Sequence, residues 1–254
     1  MGKTLSVLVT AGGTIEEIDT VRGIANFATG QLGCLIADAF SGAGARVTYL
    51  CGEKAARPAV AEKILTIRDT ASLISALETL LGETAFDCVI HSMAVSDFAP
   101  AGAVSLDKLS QAVSGALAGR DISPEAVAQA LREAVLSRPD EKKISSKSAE
   151  LVLFLKQTPK AIGRIKALAP GALLVGFKLL SGVTEAELLA AGQKLMEENH
   201  CDFVLLNDLR DITPDGHKAI LLGRGGIAGR ADTKPEIAQM IAAQIIKQKA
   251  EEMA

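Results

Sequence analysis

Four residues with chemistry to offer fall close together near the start of this chain: Arg22, Asn26, Thr29 and Gly30. An arginine presents a planar fork that fits phosphate, and an asparagine presents both donors and an acceptor. Thr29 and Gly30 stand where a helix should begin, and the free N–H groups of a helix start favour an anion. Together they would hold a phosphate or a developing oxyanion. An arginine packed on the surface beside an asparagine that ties its own loop explains the same residues equally well. Just upstream, Thr10-Ala-Gly-Gly-Thr14 carries Gly12 and Gly13, which permit the close backbone approach that phosphate and carboxylate binding exploit, though a plain tight turn would also use them. Downstream, His91-Ser92-Met93-Ala94-Val-Ser-Asp97-Phe98 puts small residues where a ligand would need room. Asp97 could accept from a ribose, a base or a water on Mg²⁺, whereas His91 reads as a satisfied residue at a strand end. Lys142, Lys143 and Lys147 form a short cluster that is either a solvated face or a set of mobile point charges suited to a triphosphate.

The elements that must position these groups follow from periodicity. Leu5–Thr10, Arg46–Cys51 and Phe86–His91 are short apolar runs of the kind that make buried parallel strands. Helical spacing of Leu32, Leu35, Ile36 and Ala39 predicts a helix capped by Thr29 and stopped by Gly42 and Gly44. A second helix is expected over 69–81. After residue 100 the rhythm breaks and one helix stands out, Pro124–Leu136. Strands at 151–155, 172–177 and 202–206 then alternate with helices at 159–168 and 184–198. A short edge strand at 218–222, a turn at Gly223-Arg-Gly-Gly226 and a closing helix at 234–249 complete the pattern. Strand and helix in alternation predict an α/β fold: a doubly wound, Rossmann-like, mostly parallel sheet with helices on both faces. Residues 1–254 read as a single domain with an inserted arm at 101–142. In such sheets ligands bind beyond the carboxyl ends of the strands, and this reading puts Arg22, Asn26, Asp97 and Lys143 at strand ends.

Composition removes several classes. The 254 residues are 48% hydrophobic and 22% charged, enough for a large core. With 27 Lys plus Arg against 30 Asp plus Glu, the formal charge of −3 is wrong for a general nucleic-acid binder. Seven Phe, one Tyr and no Trp leave little for base stacking. No apolar run approaches the ~20 residues that span a bilayer, so no membrane role is expected. Met1–Val9 lacks the features of a secretory signal. The four cysteines, Cys34, Cys51, Cys88 and Cys201, form no C-x-x-C pair, which argues against zinc and for reduced thiols in a cytoplasmic protein. No residues suggest a metal site. The Thr10–Ile15 stretch is similar to the nucleophile motif of bacterial-type asparaginases, but Ser92-Met-Ala stands where their second threonine should be. The lone Tyr49 is not followed by the lysine of a short-chain dehydrogenase, and there is no phosphate loop of the common ATPase type.

Taken in order, the motifs resemble phosphopantothenoylcysteine synthetase, the phosphopantothenate–cysteine ligase family. The residues that carry the resemblance are Val9–Asp19, Val21-Arg22, Asn26 with Thr29-Gly30, Ala94-Val-Ser-Asp97-Phe98, Lys143-Ile-Ser-Ser146, Thr158-Pro-Lys160, Val175-Gly-Phe177-Lys178, Gln193-Lys194 and Asn207-Asp208. No cysteine-decarboxylase half precedes them, so a stand-alone form is expected. Lys143-Ile-Ser-Ser and Gly176-Phe-Lys-Leu look closer to the eukaryotic and streptococcal-type branch.

The resemblance implies amide formation between 4′-phosphopantothenate and L-cysteine. The carboxylate attacks the α-phosphate of CTP or ATP, with Mg²⁺, and cysteine then displaces the nucleotide. CTP is expected over ATP. The resemblance assigns Asn26 and Lys143 to catalysis. It assigns Gly12, Gly13, Arg22, Asn26, Thr29, Gly30 and Ala94 to substrate. It assigns Ser92, Met93, Asp97, Lys143, Pro159, Lys160, Ala161, Ile162, Phe177, Lys178 and Lys194 to the nucleotide. Glu198 stands where fused relatives have a second phosphate lysine, which puts that phosphate interaction in question, with Lys178 or Lys147 as substitutes. A homodimer is implied as well. Two competing readings are a nucleotide-binding regulatory module of the same fold and an NAD-dependent reductase, the latter lacking its G-x-G-x-x-G.

Overall fold

A computed structural model describes residues 4–119, 122–136, 149–213 and 216–252. The elements run β1 (Ser6–Ala11), β2 (Ile15–Glu17), β3 (Gly23–Ala25), α1 (Gln31–Gly42), β4 (Arg46–Gly52), β5 (Lys63–Ile67), α2 (Thr70–Glu83), β6 (Cys88–His91), β7 (Phe98–Ser105), α3 (Leu106–Leu117), α4 (Pro124–Leu136), β8 (Leu151–Gln157), α5 (Ile162–Leu168), β9 (Leu173–Leu180), α6 (Glu185–Asn199), β10 (Phe203–Asp208), β11 (Ala219–Gly223), β12 (Gly226–Ala231) and α7 (Lys234–Glu252). They divide into two compact units. The first takes the stretch up to Thr14, Asn26–Val95, and everything from Lys160 on; the second takes Ile15–Ala25 and Ser96–Pro159. The second unit is therefore wider than the arm expected at 101–142.

The first unit is built on a sheet ordered β12-β11-β10-β9-β6-β1-β4-β5. From β5 to β10 all neighbours are parallel, while β11 and β12 turn back antiparallel. Numbered by their own succession, the parallel strands stand in the order 3-2-1-4-5-6, and the order reverses between β1 and β6. Both faces are covered. Val7, Val9, Tyr49 and Leu205 point to the side of α1 and α7, against Phe40, Ile36, Ile237 and Ile241. Leu8, Leu50, Val204 and Leu206 point the other way, into a cluster with Leu73, Leu77, Ile165 and Met196. Two-sided burial is why these strands read as unbroken apolar runs, and each large side chain removed from water contributes about 1.5–3 kcal/mol.

Local sequence explains most boundaries. Asp69 and Ser72 form a reciprocal capping box at the start of α2, with Ser72 N–H donating to Asp69 Oδ1 at 2.7 Å. Thr184 and Glu187 do the same for α6. The expected cap at Thr29 is displaced: Gly30 takes the cap position at φ 72°, with no side-chain cap, and Thr29 Oγ1 only reaches Gln31 N–H at 3.4 Å. The reason is steric, because a Cβ on Gly30 would sit 2.9 Å from the Ala55 Cβ and 3.0 Å from Gly12 N. The helix expected from 159 starts at Ile162, since Thr158 continues the β8 strand by donating its N–H to the Asp97 carbonyl at 3.0 Å. The edge position expected of 218–222 belongs to β12, with β11 one strand in.

The second unit holds a two-stranded ribbon, β7 with β8. The strand expected at 151–155 is thus not part of the main sheet. It alternates: Val152 and Phe154 pack with Val104, Leu109 and Val135 under α3 and α4, while Leu151 and Leu155 stay 41% and 46% exposed. The unit also contains the β2–β3 hairpin, whose turn is tied by Asp19. Asp19 Oδ1 accepts from the N–H of Val21 and Arg22 at 3.0 and 2.9 Å, and its Oδ2 accepts from Arg22 Nε and Nη2 at 3.1 and 2.6 Å.

Candidate active site at the sheet switch point

The crevice between the carboxyl ends of β1 and β6 is where a doubly wound sheet binds ligands. Backbone ladders carry on past both strand ends. Ser92 N–H donates to the Thr10 carbonyl at 3.1 Å, Ala94 N–H to Gly12 at 2.8 Å, and Thr14 N–H to Ala94 at 3.3 Å. Asn26 reaches the same point, its Nδ2 donating to the Ala94 carbonyl at 3.3 Å from an exposed position. One amide N–H and the Oδ1 face of Asn26 are left for a ligand. Gly12, at φ 81°, and Gly30 bring the turn after β1 against the start of α1. Gly33 lets the first turn of α1 lie on the strand, since a Cβ there would fall 2.5 Å from both Ala11 Cβ and Ser92 Oγ. Gly30 and Gly33 are thus the last two glycines of a G-x-x-G spacing separated from Gly12 by an insertion that carries the β2–β3 hairpin. That insertion hides the dinucleotide-type pattern in the sequence.

Beneath the crevice, Thr10 Oγ1 and His91 Nδ1 share a buried hydrogen bond of 2.9 Å, and Ser92 Oγ donates to the Thr10 carbonyl at 2.6 Å. Burial lowers the His91 imidazole from 6.5 to about 4, so it is neutral and satisfied, in keeping with its place at a strand end. The α1 start that faces this network has no side-chain cap and no acid in its first turn. Its outward N–H groups carry the positive end of the helix dipole uncompensated.

The structure brings Gly12, Gly13, Asn26, Thr29, Gly30, Ser92 and Ala94 together at this point. Met93 lies there too, but its side chain is buried in the α2/α5/α6 cluster, the same cluster that holds Ala161 and borders Ile162. Lys160 is exposed ahead of α5. Phe177 lies two residues past the Ile90–Val175 pair, on the α1 face of β9, and Lys178 follows on the other face. Lys194 is not brought to the crevice. It lies ten residues into α6, about 15 Å along the axis from the Thr184 cap, and its Nζ stands 3.8 Å from Glu198 on an exposed surface. Arg22, Asp97 and Pro159 belong to the second unit, where Arg22 is held by Asp19. Lys142, Lys143 and Lys147 lie outside the described residues.

The Asn207-Asp208 motif has a structural role. Asn207 Nδ2 donates to the Lys218 carbonyl at 2.8 Å, and Asp208 accepts from the N–H groups of Gly182 and Val183 at 3.2 and 3.1 Å. The Arg210 guanidinium holds the Asp208 carboxyl well below the usual carboxylate range. Cys51, Cys88 and Cys201 are buried, and burial raises all three thiols, Cys201 to about 12. They are inert core residues. Among the described residues no three His, Cys, Asp or Glu side chains are grouped to hold a metal, and no helix is long and apolar enough to cross a membrane.

Comparison with known proteins agrees with this fold. The DNA/pantothenate metabolism flavoprotein C-terminal domain matches residues 2–117 and 104–249. The coenzyme A biosynthesis bifunctional protein CoaBC of Thermococcus kodakarensis is 32% identical over 219 residues, 86% of this chain and 45% of that protein. The chain therefore spans about half the length of the curated relatives it matches. Among solved structures, the DNA/pantothenate metabolism flavoprotein from Streptococcus pneumoniae superposes with a TM-score of 0.82 at 33% identity, covering 96% of this chain and all of that one (100%). A Cab2 mutant in complex with phosphopantothenate-cysteine has the same fold, with a TM-score of 0.62 at 19% identity, covering 97% and 87% of the two chains. The α/β sheet, the glycine-lined switch point and the match along nearly the whole sequence together make this chain a member of the DNA/pantothenate metabolism flavoprotein C-terminal domain family.

Proposed function

We propose that the chain is a phosphopantothenate–cysteine ligase that forms an acyl nucleotide from 4′-phosphopantothenate and CTP, with ATP as the alternative nucleotide, and transfers the acyl group to the amine of L-cysteine. The carboxylate oxygen attacks the α-phosphorus and pyrophosphate leaves. The cysteine nitrogen then attacks the acyl carbon, loses a proton and expels the nucleoside monophosphate. The observation that carries this reading is the placement of Asn26: its amide is held on the Ala94 carbonyl at the switch point, beside an anion-favouring helix start. From there Asn26 would donate its remaining N–H to the oxyanion as cysteine adds. Gly12, Gly13 and Gly30 would supply close backbone approach, and Phe177 an apolar wall. Arg22, Asp97 and Lys143 enter the proposed set by resemblance.

Mg²⁺ would arrive on the nucleotide. The described residues offer no carboxylate cage, and Mg²⁺ commonly binds through substrate phosphates with only one or two protein ligands. A homodimer is supported by the exposed Leu151 and Leu155 on the outer face of the β7–β8 ribbon, apolar side chains that a second copy would cover. A cytoplasmic setting suits the reduced, buried thiols. The test is pyrophosphate release that requires both 4′-phosphopantothenate and nucleotide, with CTP and ATP run side by side and light scattering on the same sample. Nucleotide binding with no turnover in folded protein would leave only a binding module.

A further inference from the structure

Lys234 is the first residue of α7, and Gln31 is the first residue of α1, 203 positions away in the chain. The two helices run side by side on one face of the sheet, with Ile237 and Ile241 in the same cluster as Ile36 and Phe40. Their starts therefore meet at the carboxyl edge of the strands. There Lys234 Nζ donates to Gln31 Oε1 at 2.8 Å. That acceptor is a neutral amide. Lys234 makes no ion pair among the described residues, although it is only partly exposed. The acid in its own first turn, Glu236, is committed elsewhere, accepting from the N–H of Asp232 at 2.9 Å and of Thr233 at 3.1 Å. His217 is a neighbour that feels the Lys234 charge. It is 8% exposed, its Nδ1 has no partner among the described residues, and burial together with the Lys234 charge lowers its pKa from the ordinary imidazole value.

Among the described residues, this corner thus holds a lysine ammonium with no counter-charge, a buried imidazole nitrogen with no partner, and a helix start with neither side-chain cap nor first-turn acid. A partly buried cation without a counter-ion is costly unless something negative completes it. Gln31 holds the ammonium at the helix end instead of letting it swing into solvent, and two of the three ammonium donors have no acceptor among the described residues.

We propose that Lys234 is a phosphate-binding residue, held by Gln31 at the start of α1 so that a phosphate or pyrophosphate group there meets a fixed ammonium as well as the helix N–H groups. The inference rests on the reading of this edge as the phosphate-handling site. It adds a group that the motif resemblance does not assign.

The experiment is calorimetric titration of the intact chain with pyrophosphate, at two salt concentrations, for wild type, Lys234→Met, Lys234→Arg and Gln31→Glu. Removing one charge-assisted hydrogen bond predicts about ten- to a hundred-fold weaker binding for Lys234→Met, with a shallower salt dependence. Lys234→Arg should recover most of the affinity. Gln31→Glu strengthens the link between the helices but cancels the charge, so it should bind weakly while melting no lower than wild type. Wild type that fails to bind pyrophosphate overturns the proposal. So does unchanged binding in Lys234→Met, or equal losses in Lys234→Met and Lys234→Arg that follow a lowered melting temperature, since those describe a tether between helices. Pyrophosphate binding that follows the predicted order in a protein without ligase turnover would uphold Lys234 and sink the ligase reading.

Discussion

The two edges of the main sheet treat charge in opposite ways. At the amino edge of β10, Asp202 is buried and fully answered. Its Oδ2 accepts from Lys166 at 2.7 Å and from Leu174 N–H at 2.8 Å, and its Oδ1 accepts from Arg224 at 2.9 Å. At the carboxyl edge, the start of α1 and Lys234 have no anionic partner among the described residues, and Asn26 keeps donor capacity to spare. The closed cluster ties α5, β9, β10 and the β11–β12 turn into one body. The open one leaves a site for a ligand to complete. Asp208 belongs with the first kind although it lies at the carboxyl end, because Arg210 and two backbone N–H groups use its oxygens.

Substitutions should separate the two edges cleanly. The largest stability effect is expected for Asp202→Ala. Removing the carboxylate leaves the part-buried Lys166 ammonium and the Leu174 N–H without their acceptor, while the exposed Arg224 returns to water. An acceptor lost from such groups costs about 1–3 kcal/mol, more for a charged one. Chemical denaturation should show that loss, while the affinity of the remaining folded protein for pyrophosphate stays at the wild-type value. A ligand-site role for Asp202 would reverse those two results.

Asn26→Asp should do the opposite. It is nearly isosteric and exposed, so the denaturation midpoint should hold. Replacing an oxyanion donor with a negative charge should slow product formation by at least ~10²–10³. Quenched reactions with labelled nucleotide would show the cysteine-dependent step losing more than pyrophosphate release. Equal losses in both steps would reduce Asn26 to a binding residue.

His91 lies between the two extremes, closed in geometry but placed under the crevice. Its imidazole titrates near 4 in the folded protein and near 6.5 when unfolded. The unfolded state therefore binds the extra proton between those values, and stability falls as pH drops from 6.5 toward 4. The total is on the order of 3 kcal/mol. His91→Gln should flatten that part of the stability–pH curve, and a slope unchanged from wild type would place the titration elsewhere. The smallest effect is expected for Lys194→Ala. The Lys194–Glu198 pair is a solvent-exposed helix pair worth under about 1 kcal/mol. Neither stability nor nucleotide affinity should move measurably; a large loss of affinity would put Lys194 back in the phosphate site.

The same contrast explains what can be read from the sequence. Strands β1, β4, β6, β9 and β10 are buried on both faces, so their apolar runs are plain, and the doubly wound order follows from the helices between them. Strand β5 is an edge with Lys63 and Ile64 exposed, and β7 is mostly half-exposed, so neither shows a clean run. Leu151–Leu155 reads as a central strand because Leu alternates there with Val and Phe, which erases the period of two. Asn26, Gly12, Gly13, Ser92 and Ala94 are legible because they follow strand ends directly. Gly33 is not, since the hairpin insertion breaks its spacing from Gly12. Lys234 is invisible for a simpler reason: its partner Gln31 comes from the far end of the chain, and only the packing of α7 on α1 brings them together.

The most direct test of the switch-point site is to mix the protein with 4′-phosphopantothenate, Mg²⁺ and CTP or ATP in the absence of cysteine and analyse the quenched mixture by mass spectrometry. A ligase working through Asn26 at this crevice should yield an acyl nucleotide accompanied by an equal amount of pyrophosphate, consumed within turnovers once cysteine is added. Folded protein that binds the nucleotide yet forms neither acyl nucleotide nor pyrophosphate with either triphosphate would contradict it.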